Sequence, residues 1–325
     1  MKPFKHILCY VGTETSEVAI SRAVSLAVQH GASLTVMDVV KPMPKALGLV
    51  TELSPPKELE ELVVRDHRRK LLDRMAEYSD TAISMEVVVA TGDPATEIIR
   101  HVVTEGVDLV VKTANGFSPA GRLFGSVARS LLRMCPCPVW LLKPEIHGSF
   151  DRVVAAIDLD AEDEVHQNLN REILESAFSI AASENAELHV VNAWGVWMEG
   201  ALRNKAGDDA VDRMIGMQES KIRRALDELL QAPMADDKNI HIHLKQGDAP
   251  TVIRTAVDEI EADLIVMGTV CRTGVDGFLI GNTAESIIPE LTCSMLALKP
   301  QGFVSPIQAA DTAIEKNSPS PVTLI

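Results

Sequence analysis

An internal duplication constrains this chain more than any other feature, because one ordered set of motifs occurs twice. The segment TGDPATEIIR at positions 91–100 has its counterpart in QGDAPTVIR at 246–254, and the Lys-Pro pair at 143–144 recurs at 299–300. The offset between the two occurrences is 155 positions for the first motif and 156 for the second. A period of that length is a whole domain, so the chain is predicted to contain two copies of one domain.

Within each copy, short runs of β-branched and apolar residues alternate with longer stretches of helical periodicity. This alternation is typical of βαβ units and predicts an α/β fold with a parallel sheet. The predicted strands cover 5–11, 33–39, 84–90, 107–112 and 138–142, then 152–157, 187–193, 240–245, 263–267 and 294–298. The predicted helices cover 16–30, 57–78, 94–105 and 126–134, then 165–184, 208–231, 250–260 and 282–290. We therefore predict two tandem, doubly wound, Rossmann-like sheets of five parallel strands, related by a pseudo-two-fold axis.

The same pattern places the first domain at 1–144 and the second at 150–300. Residues 301–325 are rich in Ser, Pro and Ala and show no periodicity, which predicts a disordered tail. The closing strand of each copy is apolar, and an unpaired apolar edge favours aggregation. We therefore expect the two copies to pair with each other at these strands, whether or not the whole chain also forms a homodimer.

The charge balance argues against several classes of partner. The chain has 31 Lys and Arg against 46 Asp and Glu, a net charge of −15, whereas nucleic-acid binding needs a basic face. The excess lies in residues 146–325, with 14 basic and 29 acidic side chains, against 17 of each in residues 1–145. No apolar run reaches about 18 residues, no signal-peptide pattern is present and the cysteines number five. We expect a cytoplasmic protein without a membrane segment or a disulfide framework.

A ligand site is predicted where strands one and four of the second copy end. In a doubly wound sheet, ligands bind at the carboxyl ends of the strands, at the point where the strand order reverses. Asp158 follows strand one, and Gly268 and Thr269 follow strand four. Gly281 precedes a helix, where backbone N–H groups favour an anion. This glycine spacing matches neither the Walker A nor the GxGxxG pattern, so a loop that needs its glycines only for turning stays an alternative.

The residues of this loop also carry a family resemblance, which covers about residues 3–300. The second copy resembles the universal stress protein family, whose ATP-binding members have an Asp after strand one and a loop of three spaced glycines followed by Ser or Thr. Gly268 and Gly281 fit the first and third glycines, and Cys271 stands at the second. Asn282 stands at the Ser/Thr position, with Thr283 next to it.

The resemblance implies a fold like that of the adenine nucleotide alpha hydrolases and a regulatory or protective role in the stress response. It also implies that the second copy binds ATP conditionally, with Mg²⁺ as a candidate partner of the phosphates. Asp158 would accept a hydrogen bond from the ribose or the adenine. The end of strand two, near Asn192 and Ala193, would contact the adenine ring.

The first copy departs further from the family pattern. Gly12 replaces the Asp after strand one, and Lys112 and Asn115 are aligned with the first two glycines of the loop. The pair Gly125-Ser126 is retained. The first site is therefore interpreted as lost for ATP.

Three alternative functions stay open at this stage. The loops at 41–56 and 194–208 are long and apolar, the second with Trp194 and Trp197, and they would suit a binding module for an apolar or lipid-like ligand. A scaffold for protein partners and a slow ATPase are the other two. No catalytic group is predicted, because no nucleophile elbow, HExxH motif or P-loop lysine is present. His241 and His243 share one face of a predicted strand, but the sequence indicates no third ligand, so no metal site is predicted.

Overall fold

The structure is a computed structural model that describes residues 3–12, 17–42, 56–114, 125–144, 149–161, 163–230, 234, 237–269, 281–307 and 323–324. Cys271, Asn115 and most of the apolar loop at 41–56 lie outside these residues, as does most of the tail. Among the helices that are described, none is both long and apolar enough to span a bilayer.

The order of strands and helices matches the predicted alternation in both copies. The strands are β1 (His6–Tyr10), β2 (Ser33–Val40), β3 (Met85–Thr91), β4 (Leu109–Thr113), β5 (Val139–Leu142), β6 (Arg152–Ile157), β7 (Glu187–Trp194), β8 (Ile240–Gln246), β9 (Leu264–Gly268), β10 (Ser294–Leu298) and β11 (Thr323–Leu324). The helices are α1 (Glu17–His30), α2 (Pro56–Met75), α3 (Pro94–Glu105), α4 (Ser126–Met134), α5 (Glu164–Glu184), α6 (Glu199–Ala206), α7 (Asp208–Leu229), α8 (Ala249–Ile260) and α9 (Asn282–Ile287). The predicted bounds agree within about two residues when the 3₁₀ turns that follow α2 and α9 are included.

Sequence-local chemistry explains where equivalent helices begin and end. The carboxylate of Asp93 accepts the backbone N–H of Thr96 at 3.0 Å, and that of Asp248 accepts the N–H of Thr251 at 3.3 Å. Both helices then have proline in their first turn, where its missing N–H costs nothing. Gly106 ends α3 with φ of 66°, a left-handed conformation that glycine adopts without strain.

The strands of both copies form one continuous sheet in the order β11-β3-β2-β1-β4-β5-β10-β9-β6-β7-β8. The five strands of each copy are mutually parallel. The copies meet where β5 and β10 pair antiparallel, with Leu296 opposite Trp140. The expected pairing of the closing strands is therefore confirmed. It relates equivalent strands of the two copies, as a pseudo-two-fold axis requires.

The hydrophobic core consists of two layers, one on each face of this sheet. Ile7 and Val153 belong to one layer and Leu8 and Val154 to the other, so each layer contains residues of both copies. Successive residues of a strand point to opposite faces, and a sheet covered on both faces therefore needs continuous apolar strands. The fully apolar runs in the sequence reflect this double burial.

Polar contacts also join the two copies beside the paired strands. The carbonyl oxygen of Leu132, in the last turn of α4, accepts the ammonium of Lys299 at 2.5 Å and the hydroxyl of Thr269 at 3.3 Å. A cation is favourable at a helix C-terminus, where carbonyl groups are unpaired. On the other face, the guanidinium of Arg22 pairs with Glu184 and lies 4.6 Å from the ring centre of Phe150.

One connection in the second copy differs from the sequence prediction. The connection at 194–208 contains the short helix α6, which ends at Gly207 and leads directly into α7. Its eight residues are too few to show a clear apolar period. At the described positions of the tail, Ser305 is buried and Thr323–Leu324 pair with the edge strand β3. The unpaired backbone groups of an edge strand provide the partners for this short segment.

The buried Lys299 gives a prediction about stability and pH. Burial lowers the pKa of Lys299 from 10.5 to about 8. Between these values the unfolded chain keeps a proton that the folded chain has released, so stability increases with pH over this window. We predict that the free energy of unfolding of the wild type rises by on the order of 2 kcal/mol relative to Lys299→Met between pH 8 and pH 10.

Denaturant titrations of both proteins at the two pH values measure this difference. Groups such as Cys9 and Tyr10, whose pKa values burial raises to about 12, titrate equally in both proteins and cancel in the comparison. Parallel pH dependence of the two proteins would contradict the prediction.

Candidate functional site

A cavity of about 470 Å³ lies at the carboxyl ends of the second-copy strands. It opens between the neighbouring strands β6 and β9. The helices that follow these two strands, α5 and α9, pack on opposite faces of the sheet. This is the position at which doubly wound folds bind ligands. The described residues that line it are Ala156, Ile157, Asp158, His166, Leu169, Asn170, Ile173, Ala193, Ala249, Ile253, Met267, Gly268, Gly281, Asn282, Thr283 and Ala284.

The structure brings six of the eight predicted site residues to this cavity. They come from three separate parts of the chain: Asp158 after β6, Ala193 in β7, and the group at 268 and 281–283 around the β9–α9 connection. Gly281 directly precedes α9, so the backbone of Asn282 and Thr283 forms the first turn of that helix. The pairing of β6 with β9 and of β6 with β7 explains why residues 35 to 125 positions apart meet here.

Two predicted residues and one neighbour have other surroundings. Thr269 is fully buried, and its hydroxyl donates to Leu132 of the first copy, so its side chain serves the contact between the copies. Cys271 lies outside the described residues. Asn192 is also buried, and its amide donates to the carbonyl of Ile157 at 3.2 Å. That bond ties the end of β7 to the end of β6, beside the cavity.

Asp158 is held by a reciprocal pair of hydrogen bonds to α5. The backbone N–H of Asp158 donates to Oδ1 of Asn170 at 2.9 Å, and Nδ2 of Asn170 donates to the carbonyl of Asp158 at 2.6 Å. The carboxylate of Asp158 also accepts the N–H of Asp160 at 3.3 Å. A backbone fixed on both sides in this way presents its carboxylate to the cavity in a defined position.

His166 is a lining residue that the sequence analysis missed. Its Nδ1 contacts the carboxylate of Asp163 at 2.7 Å, while Nε2 is buried without a hydrogen-bond partner. The pKa of Asp163 is lowered mainly by the hydrogen bond from the backbone N–H of His166 and next by the hydrogen bond from its ring. The spacing of His166 and Asn170, four residues apart on one helix, would have indicated that both face the same way.

Acidic groups dominate the charge around the entrance. Asp158 lines the cavity, and Asp160 lies close by, where it accepts hydrogen bonds from Gln218 at 3.0 Å and Lys221 at 2.9 Å of α7. None of the described residues that line the cavity is Lys or Arg. A polyanion would therefore depend on backbone N–H groups, on a divalent cation or on both for neutralisation.

Gly268 has a packing role that is independent of any ligand. A Cβ atom at this position would lie 2.8 Å from Cδ2 of Leu169, which is buried. The absence of a side chain therefore lets α5 approach the end of β9. This contact explains one glycine of the family pattern without reference to phosphate.

The strand register corrects the alignment of the first copy. The N–H of Ala114 donates to the carbonyl of Leu142, and the N–H of Thr269 donates to the carbonyl of Leu298, in equivalent places. Thr113 is therefore the counterpart of Gly268, and the assignment of Lys112 to that glycine was wrong by one residue. The offset between the copies is 155 residues up to the end of this strand and becomes 156 only after the loop that follows it. An alignment at 156 therefore displaces Lys112 by one position.

The corrected register shows what replaces the cavity residues in the first copy. Tyr10 is the counterpart of Ala156, and Lys112 is the counterpart of Met267. Both are buried, with Nζ of Lys112 at 5.8 Å from the ring centre of Tyr10. Gly12, the counterpart of Asp158, has φ of 61°, and a Cβ atom added there would lie 3.3 Å from the side chain of Tyr10. Large side chains thus occupy positions that are small or apolar in the second copy.

Comparison with known proteins gives a consistent result. The chain matches the model of the universal stress protein family twice, over residues 3–143 and 149–299. It is 30% identical over 318 residues to universal stress protein E of Photorhabdus laumondii, covering 95% of this chain and 99% of the relative. It is 27% identical over 271 residues to universal stress protein E of Escherichia coli K12, covering 81% and 84%. A Pseudomonas aeruginosa crystal structure of this class has the same fold, with a TM-score of 0.68 at 24% identity over 91% of this chain and 94% of that one.

The contact between Gly268 and Leu169 gives a testable prediction. We expect Gly268→Ala to lower the free energy of unfolding by about 1–3 kcal/mol, because the added methyl group overpacks against Leu169. In a Leu169→Ala background, the same substitution should have little effect, since the atom it would meet is gone.

Denaturant unfolding of the four proteins of this double-mutant cycle measures the coupling directly. Gly195→Ala is a matched control in the same copy, because a Cβ there would meet nothing within 4 Å. Equal losses in both backgrounds would show that the glycine is needed for another reason.

Proposed function

The chain belongs to the universal stress protein family, and we propose that it is a stress-response regulator whose second copy binds an adenine nucleotide at the cavity. The observation that carries this proposal is the convergence of Asp158, Ala193 and the 281–283 segment on one cavity at the switch point of the sheet. A volume of about 470 Å³ is within the range of small-molecule sites.

The apolar part of the cavity suits a purine ring. Ala156, Ala193 and Met267 line it from three adjacent strands, and Ile253 lines it from α8. A flat aromatic base buries a large area against such alkyl groups, and the small side chains of Ala156 and Ala193 leave space for it. We assign the base to this region.

The polar groups on the α5 side suit the edge of a base or a ribose. The carboxylate of Asp158 accepts hydrogen bonds, and Nε2 of His166 is buried without a partner. A buried polar atom is costly unless a ligand or water satisfies it. We propose that a ribose hydroxyl or an adenine amine supplies the partners on this side.

The phosphates are assigned to the first turn of α9. There the N–H groups of Asn282 and Thr283 have no partner within the helix, and the side chain of Asn282 is exposed. Mg²⁺ would supply the positive charge that the described lining lacks when ATP binds. Binding is proposed to be conditional because none of the described lining residues is Lys or Arg.

The first copy is proposed not to bind a nucleotide. Tyr10 and Lys112 take the places of Ala156 and Met267, and Gly12 removes the carboxylate acceptor. The first copy then acts as the structural partner of the second, since it provides the Leu132 carbonyl to which Thr269 donates.

Calorimetric titration of the purified full chain with ATP and Mg²⁺, AMP and adenosine tests this function. We expect Asn282→Asp to weaken ATP and AMP binding by about tenfold or more and to leave adenosine binding unchanged, because the new carboxylate repels only the phosphates. An acidic residue in the first turn of a helix is favourable, so the fold should not be weakened.

The equivalent substitution in the first copy, Ser126→Asp, is the matched control and should change none of the three affinities. Asp158→Asn should weaken all three ligands. If the wild type binds none of these ligands at millimolar concentration, the nucleotide function is wrong. If Asn282→Asp leaves ATP binding unchanged, the phosphates lie elsewhere.

One observation favours an apolar or lipid-like ligand as a second candidate. Nine of the described lining residues have alkyl side chains or the thioether of methionine. Trp197, three residues after the end of β7, is 81% exposed, whereas Trp194 at the end of β7 is buried in the core. A fatty acid that raises the melting temperature of delipidated protein, together with no effect of ATP or AMP, would favour this alternative.

A further inference from the structure

A cluster of four side chains lies on β7 and the edge strand β8, away from the nucleotide cavity. We call Glu187, His189, His241 and His243 the histidine cluster. The register pairs His189 with His241 and Val191 with His243, so all four side chains of the cluster lie on one face. His189 precedes Ala193 by four residues, which separates the cluster from the cavity by roughly 13 Å.

Distances within the cluster are those of a ligand set. One ligand atom each of Glu187, His189 and His241 lies within 4.8 Å of the other two. Nε2 of His189 is 3.5 Å from the carboxylate of Glu187. Two ligands of one tetrahedral Zn²⁺, each at about 2.1 Å, are roughly 3.4 Å apart. Small rotations of the exposed Glu187 and His241 would complete this geometry.

His243 fixes the orientation of the central ligand. Its Nε2 lies 3.1 Å from Nδ1 of His189, and the rings of His189 and His241 are stacked with centres 4.8 Å apart. When His189 carries its proton on Nδ1 and donates it to His243, Nε2 is left unprotonated next to Glu187 and can bind a metal ion. Metal-binding histidines are oriented in this way, by a hydrogen bond from the other ring nitrogen.

The burial of Nε2 of His189 also supports a metal ion at this cluster. His189 is 8% exposed, and its Nε2 has no hydrogen-bond partner. Buried polar atoms are satisfied in most proteins, and a cation shared with the neighbouring carboxylate of Glu187 would satisfy this one. Imidazole and carboxylate together favour Zn²⁺ or a similar transition-metal ion over Ca²⁺ or Mg²⁺.

We propose that Glu187, His189 and His241 bind one Zn²⁺ ion, with His243 as the residue that positions His189. The exposed sides of Glu187 and His241 leave the fourth position to water. Bound in this way, the ion connects the edge strand β8 to β7 through side chains, in addition to the backbone hydrogen bonds between them.

The test is calorimetric titration of Zn²⁺ into the chelator-treated full chain, followed by melting curves with and without the ion. We expect one ion per chain and a melting temperature that Zn²⁺ raises. His243→Ala should weaken the affinity by about tenfold, as loss of a positioning residue does, and His241→Ala and Glu187→Gln should weaken it further.

Lys245→Gln is the matched control, because Lys245 is exposed on the same face of the same strand and is not a ligand. Its affinity for Zn²⁺ should stay close to that of the wild type. The substituted ligands are exposed, so the variants are expected to fold, which their melting curves without Zn²⁺ verify. If wild type shows no saturable binding, or if His241→Ala and Glu187→Gln bind as tightly as wild type, the site does not exist.

Discussion

The antiparallel pairing of β5 with β10 is the interaction on which the rest of the structure depends. It closes the apolar edge of each copy and turns two five-stranded sheets into one. Both core layers then extend across the junction, and polar contacts from Lys299 and Thr269 to Leu132 secure it. Neither copy would expose this edge safely alone, since an unpaired strand of this composition invites association with another chain.

Shared architecture has left the two copies free to differ where ligands would bind. At equivalent places in the register, Ala156 and Met267 in one copy are Tyr10 and Lys112 in the other. These exchanges fill or open space at the switch point without changing the backbone hydrogen bonds. The acidic excess also belongs to the second half, where five of the 29 acidic residues lie at 158–164, while the first half is neutral. Divergence has thus affected side chains around the site far more than the sheet.

Much of the fold was predictable because its determinants are local or periodic. The apolar strands and the capping aspartates Asp93 and Asp248 are signals of a few residues each, and the duplication repeats these signals in the same order. The structure confirms these features. The place of the cavity followed from topology alone. What could not be predicted depends on register between distant strands. Thr113, and not Lys112, is the counterpart of Gly268 because the loop beyond the strand is one residue longer in the second copy. His189 meets His241 only because β7 and β8 pair in one alignment.

The opposite direction of the strands in the two copies has a consequence for communication between them. The carboxyl ends of β1–β5 and of β6–β10 lie at opposite margins of the common sheet, because the junction is antiparallel. Molecules bound at the switch points of the two copies would never touch, and they would approach from different sides of the protein. Any influence of one occupied copy on the other would pass through the shared sheet and core and through contacts between the copies, such as those of Leu132 and the pair of Arg22 with Glu184. The two switch points therefore face separate surfaces of the protein.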